Sequence, residues 1–360
     1  MLAIYVHIPF CKTLCPYCDF VKQRTAAGNR DAFTAAVTRE ILGFAGPREA
    51  CSVFFGGGTP SQLEPAQLAA VTGALRERFD FAPEAEWTLE ANPDDVTDDA
   101  ARGWLDAGIN RVSLGVQSLD DQTLRYLGRR HNAAAARRAC ETVGRHFERW
   151  SLDLMFGAPP VERWDDTLRA VNEIDPPHVA AYGLTYEAST PFARRAHEAL
   201  DDDAMLGLYQ RMEAAFADYD HYEISNFAKV GQHSAHNLVY WRNEPYAGFG
   251  TGAYCFVDGV RARNHPGADD YLRAPGEKAE ALRLSDHEVK LETVIQHLRL
   301  RTGLPRDYYA QRFGEPVEAE FGPALASLAA RGLLADDGKV ITPTREGFYL
   351  NNEIGLELVG

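Results

Sequence analysis

The chain has no basic excess, no long apolar run and no second C-x2-C pair, and each absence removes a class of function. Its 360 residues carry 37 Lys and Arg against 52 Asp and Glu, a formal net charge of −15. A surface of that sign repels nucleic-acid phosphates and anionic lipid. No apolar stretch approaches the roughly 18 residues of a membrane span. Met1-Leu2-Ala3 runs directly into a strand pattern, so no signal peptide is expected. Cysteine is scarce, with six residues in all. Cys51, Cys140 and Cys255 are scattered and read as ordinary thiols rather than disulfide partners, which points to a reducing cytoplasm.

The other three cysteines lie within eight residues. Cys11-Lys12-Thr13-Leu14-Cys15-Pro16-Tyr17-Cys18 follows the strand-like run Ala3–Ile8. Thiolates spaced C-x3-C-x2-C can converge on one centre. Tetrahedral zinc wants four ligands, commonly as two C-x2-C pairs or with paired histidines. Three thiolates suit a 4Fe–4S cluster with one iron left open for a substrate. The alternative, three thiols without a ligand, leaves reactive groups crowded in one loop.

The first two-thirds of the sequence alternates strand and helix patterns. Strands are expected at Ile4–Ile8, Ser52–Phe55, Trp87–Ala91, Arg111–Val116, Leu152–Phe156 and His178–Leu184. Between them, Phe33, Val37, Ile41 and Phe44 recur at helical spacing, as do Leu68, Val71, Leu75 and Phe79. Six strand–helix units imply an α/β fold with a parallel sheet and right-handed crossovers. An open, partial (β/α)6 barrel is expected, with a doubly wound sheet as the alternative. Chemistry in such barrels sits at the C-terminal ends of the strands. There the sequence places Gly56-Gly57-Gly58-Thr59, then Glu90, Gln117 with Arg129 after it, and Asp153. Each alone could be a turn or a strand-end cap. Together they offer carboxylate, amide and guanidinium groups around one cavity.

The cysteine loop, with Tyr17 beside the last Cys, resembles that of radical S-adenosylmethionine (SAM) proteins. Further segments narrow the resemblance: Tyr5-Val6-His7-Ile8-Pro9-Phe10-Cys11, Gly56-Gly57-Gly58-Thr59-Pro60-Ser61, Ser113-Leu114-Gly115-Val116-Gln117-Ser118, Asp153-Leu154-Met155-Phe156-Gly157 and Tyr222-Glu223-Ile224-Ser225-Asn226-Phe227-Ala228. They look like the oxygen-independent coproporphyrinogen III oxidase-like group along nearly the whole chain. The resemblance implies a 4Fe–4S cluster on Cys11, Cys15 and Cys18, whose open iron holds SAM. It implies SAM contacts from Tyr5, Gly57, Gly58, Thr59, Glu90, Gln117, Arg129 and Asp153. Tyr5 would pack beside the bound SAM, Glu90 and Arg129 would hold its amino-acid end, and Gln117 and Asp153 would face its sugar or sulfonium side.

Two subgroups share this pattern. The oxidases carry a further Cys two residues after the third, where this chain has Phe20. The heme chaperones are similar to this sequence at Cys15-Pro16-Tyr17-Cys18-Asp19-Phe20, and they share His236-Asn237-Leu238-Val239-Tyr240-Trp241. The expectation is therefore a cytoplasmic chaperone that binds heme and passes it to an apo-hemoprotein, with a reductant for the cluster and transient contact with membrane-bound acceptors. The alternatives are a radical SAM enzyme oxidising a tetrapyrrole, a SAM-dependent methyltransferase, or a DNA-binding regulator with a redox-sensing cluster. Heme takes an axial ligand, commonly His, and aromatic surface. His236 beside Tyr240 and Trp241 is the candidate, with His7, His131 and His233 as others. The competing reading is a buried His whose ring nitrogens bond backbone carbonyls, with Tyr240 and Trp241 packing in the core. The loop Gly157-Ala158-Pro159-Pro160-Val161 departs from the family pattern.

The expected domains are residues 1–258 for the barrel, 259–284 as a linker, and 285–360 as a small winged-helix-like domain. The last has helices near Asp286–Leu300, Arg306–Phe313 and Glu318–Arg331, then a hairpin turning at Asp337-Gly338. Net acidity and the absence of a Lys/Arg cluster favour a packing or partner-binding role for it over DNA binding, with a lid over the barrel mouth as a further hypothesis.

Overall fold

The computed structural model describes residues 1–25 and 29–360. Twelve strands form its main sheet: β1 (Leu2–Ile8), β2 (Glu49–Gly57), β3 (Asp80–Ala91), β4 (Arg111–Gln117), β5 (Arg149–Phe156), β6 (His178–Gly183), β7 (Asp220–Glu223), β8 (Asn226–Ala228), β9 (Tyr246–Gly250), β10 (Tyr254–Val257), β11 (Val260–Asn264) and β12 (Lys278–Arg283). Their order is β12-β11-β10-β9-β1-β2-β3-β4-β5-β6-β8-β7. The six expected strands stand side by side in chain order and parallel, as the strand–helix repeat requires. β9 adds a seventh parallel strand, on the other side of β1.

Alternation along these strands decides where the site lies. Val53 and Phe55, Trp87 and Leu89, Val112 and Leu114, and Leu152 and Leu154 belong to the large apolar core under the helices. Apart from Phe54, the residues that alternate with them are polar: Ser52, Glu86, Thr88, Glu90, Arg111, Ser113, Ser151, Asp153 and His178. All but Glu90 and Asp153 fall in the most buried class. Period-2 alternation sends successive side chains to opposite faces. The sheet curls so that its second face encloses a polar interior rather than meeting solvent.

Residues 259–284 do not form the expected linker. β11 and β12 extend the main sheet, and the helix Ala268–Arg273 lies between them. The buried carboxylate of Glu40 holds this segment. It accepts from Gly250 N at 2.9 Å, Asn264 Nδ2 at 2.7 Å and Tyr271 Oη at 2.7 Å. Pro266-Gly267 and Pro275-Gly276 fall between these elements, and the strands pair locally, β11 with β10 and β12.

The C-terminal helices Asp286–His297, Arg306–Phe313 and Glu318–Ala330 and a three-stranded sheet share a second apolar core. Two more helices, Arg345–Tyr349 and Asn351–Val359, follow the hairpin. This unit packs at the amino ends of the barrel strands. Arg312 donates to the carbonyls of Arg242 at 3.0 Å and Asn243 at 2.7 Å, and Arg301 N donates to Tyr222 O at 3.0 Å. It lies opposite the cysteine loop and contributes no residue to the cavity below. The lid expectation is therefore replaced by a base. Among the described residues no helix is long and apolar enough to cross a membrane.

Candidate functional site

A cavity of about 410 Å³ runs from the cysteine loop into the polar interior. Cys11, Cys15, Cys18, Gly57, Gly58, Thr59, Glu90, Gln117, Arg129 and Asp153 all line it. Nearly every residue expected at the site thus comes together. The glycines are there for clearance. A Cβ on Gly57 would fall 2.5 Å from the His7 ring, and one on Gly58 would fall 2.6 Å from the Pro9 carbonyl carbon. Gly57 also holds φ at 109° and Gln117 at 69°. A left-handed, non-glycine residue costs about 1–2 kcal/mol, and here it marks the point where β4 ends at the cavity.

The thiols sit in a supported loop. Thr59 Oγ1 donates to Cys11 Sγ at 3.5 Å, and Arg129 Nη1 lies 3.4 Å from Cys15 Sγ. Arg129 also donates to Gly115 O at 2.8 Å and to Asn92 Oδ1, so its guanidinium is locked between β4 and the loop. Burial pushes the Cys11 and Cys18 thiols up. Bound iron would reverse that, because it binds thiolate. Among the described residues no three His, Cys, Asp or Glu side chains converge as ligands of a single ion do. A cubane cluster spreads its thiolates over separate irons, so the donor set fits a cluster.

Two carboxylates face the cavity from β3 and β5. Glu90 accepts from Gly57 N at 3.1 Å, yet burial, then the nearby Asp153, push it up to about 8. Asp153 accepts from Ser113 Oγ at 2.7 Å and Ser151 Oγ at 2.9 Å, and burial still raises it to about 6. Such groups await a cation, and an ammonium or sulfonium placed there would restore their charge. A pH dependence follows. Glu90 binds its proton more tightly folded than unfolded, so its contribution to stability is complete below about 4.5 and is lost as pH rises toward 8. Asp153 acts with the same sign, between 3.8 and about 6. The cofactor-free protein is therefore expected to weaken between pH 5 and about 8 in urea melts, and Glu90→Gln to flatten the upper part of that decline. An unchanged slope in the variant would remove Glu90 as the cause.

Two expected residues stand apart. Tyr5 lies behind the wall, with its Oη 3.1 Å from His7 Nδ1 and its ring stacked on Phe54. His236, the heme-ligand candidate, is 1% exposed and does not line the cavity. It begins the short helix Ala235–Trp241, which closes the amino end of the barrel. Its Nδ1 pairs with Ser52 Oγ at 2.9 Å and its Nε2 with Tyr240 Oη at 2.9 Å. Both nitrogens are engaged, so this conformation does not offer His236 to iron. His7, His131 and His233 each pair at a ring nitrogen, with Val21 O, Val116 O and Asp220 Oδ2, and none lines the cavity.

The sequence reading missed Arg111, Asn92, His178 and Asn226, which also line the cavity. The polar positions alternating with apolar ones in Arg111-Val112-Ser113-Leu114 and Ser151-Leu152-Asp153 were the available signal.

Comparison with known proteins agrees with this geometry. Residues 5–171 match the radical SAM superfamily, and residues 284–350 match the HemN C-terminal domain. The heme chaperone HemW of Bacillus subtilis (strain 168) is 33% identical, over 98% of this chain and 98% of its own length. The heme chaperone HemW of Escherichia coli (strain K12) is also 33% identical, over 99% of this chain and 98% of its own. In fold, the chain is similar to the coproporphyrinogen III oxidase HemN from Escherichia coli, with a TM-score of 0.86 and 23% identity, covering 99% of this chain and 89% of that one. With a three-cysteine loop opening onto a strand-end cavity and full-length relatives of this kind, the chain belongs to the HemW family of the radical SAM superfamily.

Proposed function

We propose that the protein binds heme and delivers it to an acceptor hemoprotein in the cytoplasm, with Cys11, Cys15 and Cys18 holding a 4Fe–4S cluster that binds SAM. The full-length likeness to the HemW chaperones carries this reading. Phe20 supports it: this side chain stands where the oxidase pattern has a fourth Cys, lines the cavity and is 62% exposed. A surface phenylalanine gives a macrocycle an apolar contact, and Tyr182 adds a second. Thr59, Glu90, Gln117, Arg129 and Asp153 would hold SAM by its polar groups, with Tyr5 buttressing the wall from behind. When bound, cluster and SAM supply one-electron chemistry; the chain's own residues position them and limit water.

The test is an anaerobic hemin titration of reconstituted protein, followed by absorbance, on wild type and His236→Ala. Saturable binding with a shifted Soret band is expected in the wild type. A changed band in the variant would place iron at His236 and require its helix to open. An unchanged band would put the ligand elsewhere. No saturable binding by the wild type would sink the chaperone reading, and assays for oxidised or methylated tetrapyrrole would follow.

A further inference from the structure

The inner part of the cavity, its floor, reaches from the rung below Glu90 up to the rung of Asp153 and has unmet hydrogen bonds. Arg111, His178 and Asn226 line the cavity, and each is 2% exposed. Arg111 Nη2, His178 Nδ1 and Asn226 Oδ1 are buried and have no hydrogen-bond partner among the described residues. Buried polar groups are almost always paired, and three orphans on one wall are unusual. Sheet register places them on three successive rungs of one face. Arg111 pairs with Arg149 across β4–β5, Ser151 with His178 one rung higher, and Ala180 with Asn226 one rung above that.

The hydrogen-bond directions can be assigned. Tyr222 Oη accepts from Ser234 N at 3.3 Å and lies 2.9 Å from His178 Nε2. With no other acceptor in reach, its hydrogen points to Nε2. His178 is kept neutral by burial and then by the charge of Arg111, so its own proton sits on Nδ1, facing the cavity. The floor therefore presents two donors, a guanidinium N–H and an imidazole N–H, with one amide oxygen beside them. Charges of both signs surround these groups, and Asn226 Nδ2 donates to the buried Glu223 carboxylate. Glu86 lies 2.7 Å from Arg149 and 3.8 Å from Arg111, one carboxylate against two guanidiniums. Asp153, on the rung of Asn226, is already bonded to two serines.

We propose that Arg111, His178 and Asn226 form a second binding site at the cavity floor that takes a carboxylate. Two oxygens would accept from Arg111 Nη2 and His178 Nδ1, and a hydroxyl or amide N–H on the same ligand would meet Asn226 Oδ1. The carboxylate belongs either to a small free acid or to a propionate side chain of heme. The site itself does not depend on the heme reading; only the second arm of its test does.

Full-length, reconstituted protein is titrated calorimetrically with propionate and with the neutral isostere propionamide. A second arm follows heme and heme dimethyl ester by absorbance. Both arms are repeated on His178→Phe, with iron content and circular dichroism as controls for the fold. Arg111→Gln serves if the phenylalanine variant does not fold. Preference for propionate over propionamide, weakened about tenfold or more in the variant, supports the site with a free acid, since a charge-assisted hydrogen bond is lost. Preference for heme over its ester, lost in the same variant, supports it with a tetrapyrrole. Absence of discrimination in both arms, or variant binding equal to wild type, overturns the proposal. Loss of all heme binding with propionate binding intact would overturn the chaperone reading alone.

Discussion

Cys15→Ala is expected to hold less than about a tenth of the wild-type iron and sulfide after anaerobic reconstitution, because two thiolates do not retain a cubane that needs three. Cys15 is the informative choice. Cys11 is buried under Thr59, so truncating it mixes ligand loss with packing loss. Cys15 is half-buried, and its thiol lies beside Arg129. The loop also lies outside the main sheet. Unfolding of the cluster-free variant should therefore lie within about 1 kcal/mol of cluster-free wild type, as for substitutions away from a core. Iron and sulfide at wild-type levels would refute the ligand assignment. Unfolding of the variant without metal would show that the thiol also serves packing.

Glu86→Ala is expected to have the largest effect on stability, about 3–5 kcal/mol, as when one partner of a buried ion pair is removed. Glu86 is 1% exposed. Its carboxylate accepts from Arg149 Nη2 at 2.7 Å, from Ala235 N at 3.2 Å and from His236 N at 3.1 Å. It thus ties the barrel to the first turn of the helix Ala235–Trp241, and removal strands the buried Arg111 guanidinium and two backbone donors in the interior and frees the partly exposed Arg149. The C-terminal unit grips the other end of that helix through Arg312. Denaturant unfolding of wild type and variant measures the loss. A change under about 1 kcal/mol would mean that the interior hydrates and that Glu86 carries little.

The sequence by itself determined the cysteine loop, the six parallel strands and most of the cavity wall. These signals are local: thiols at short spacing, apolar runs bounded by Gly and Pro, and polar residues where such runs stop. Strand ends were legible because Gly57, Glu90 and Gln117 each follow or close an apolar segment.

Only the tertiary structure decided the rest. β9 became a seventh parallel strand because its partner, β1, lies more than 230 residues earlier, and Gly248 and Gly250 blunt its strand pattern. The segment 259–284 joined the sheet through Glu40, a helical carboxylate that sequence alone would place in water. His236 sits beside aromatic residues, which suits a heme ligand equally well on paper. Folding gave both its nitrogens to Ser52 and Tyr240 instead. Alternating polar residues ordinarily mean a solvent-facing side of a sheet. Here curvature turned that side inward, and only closure of the barrel shows which of those groups are paired and which, at Arg111, His178 and Asn226, are left facing the cavity.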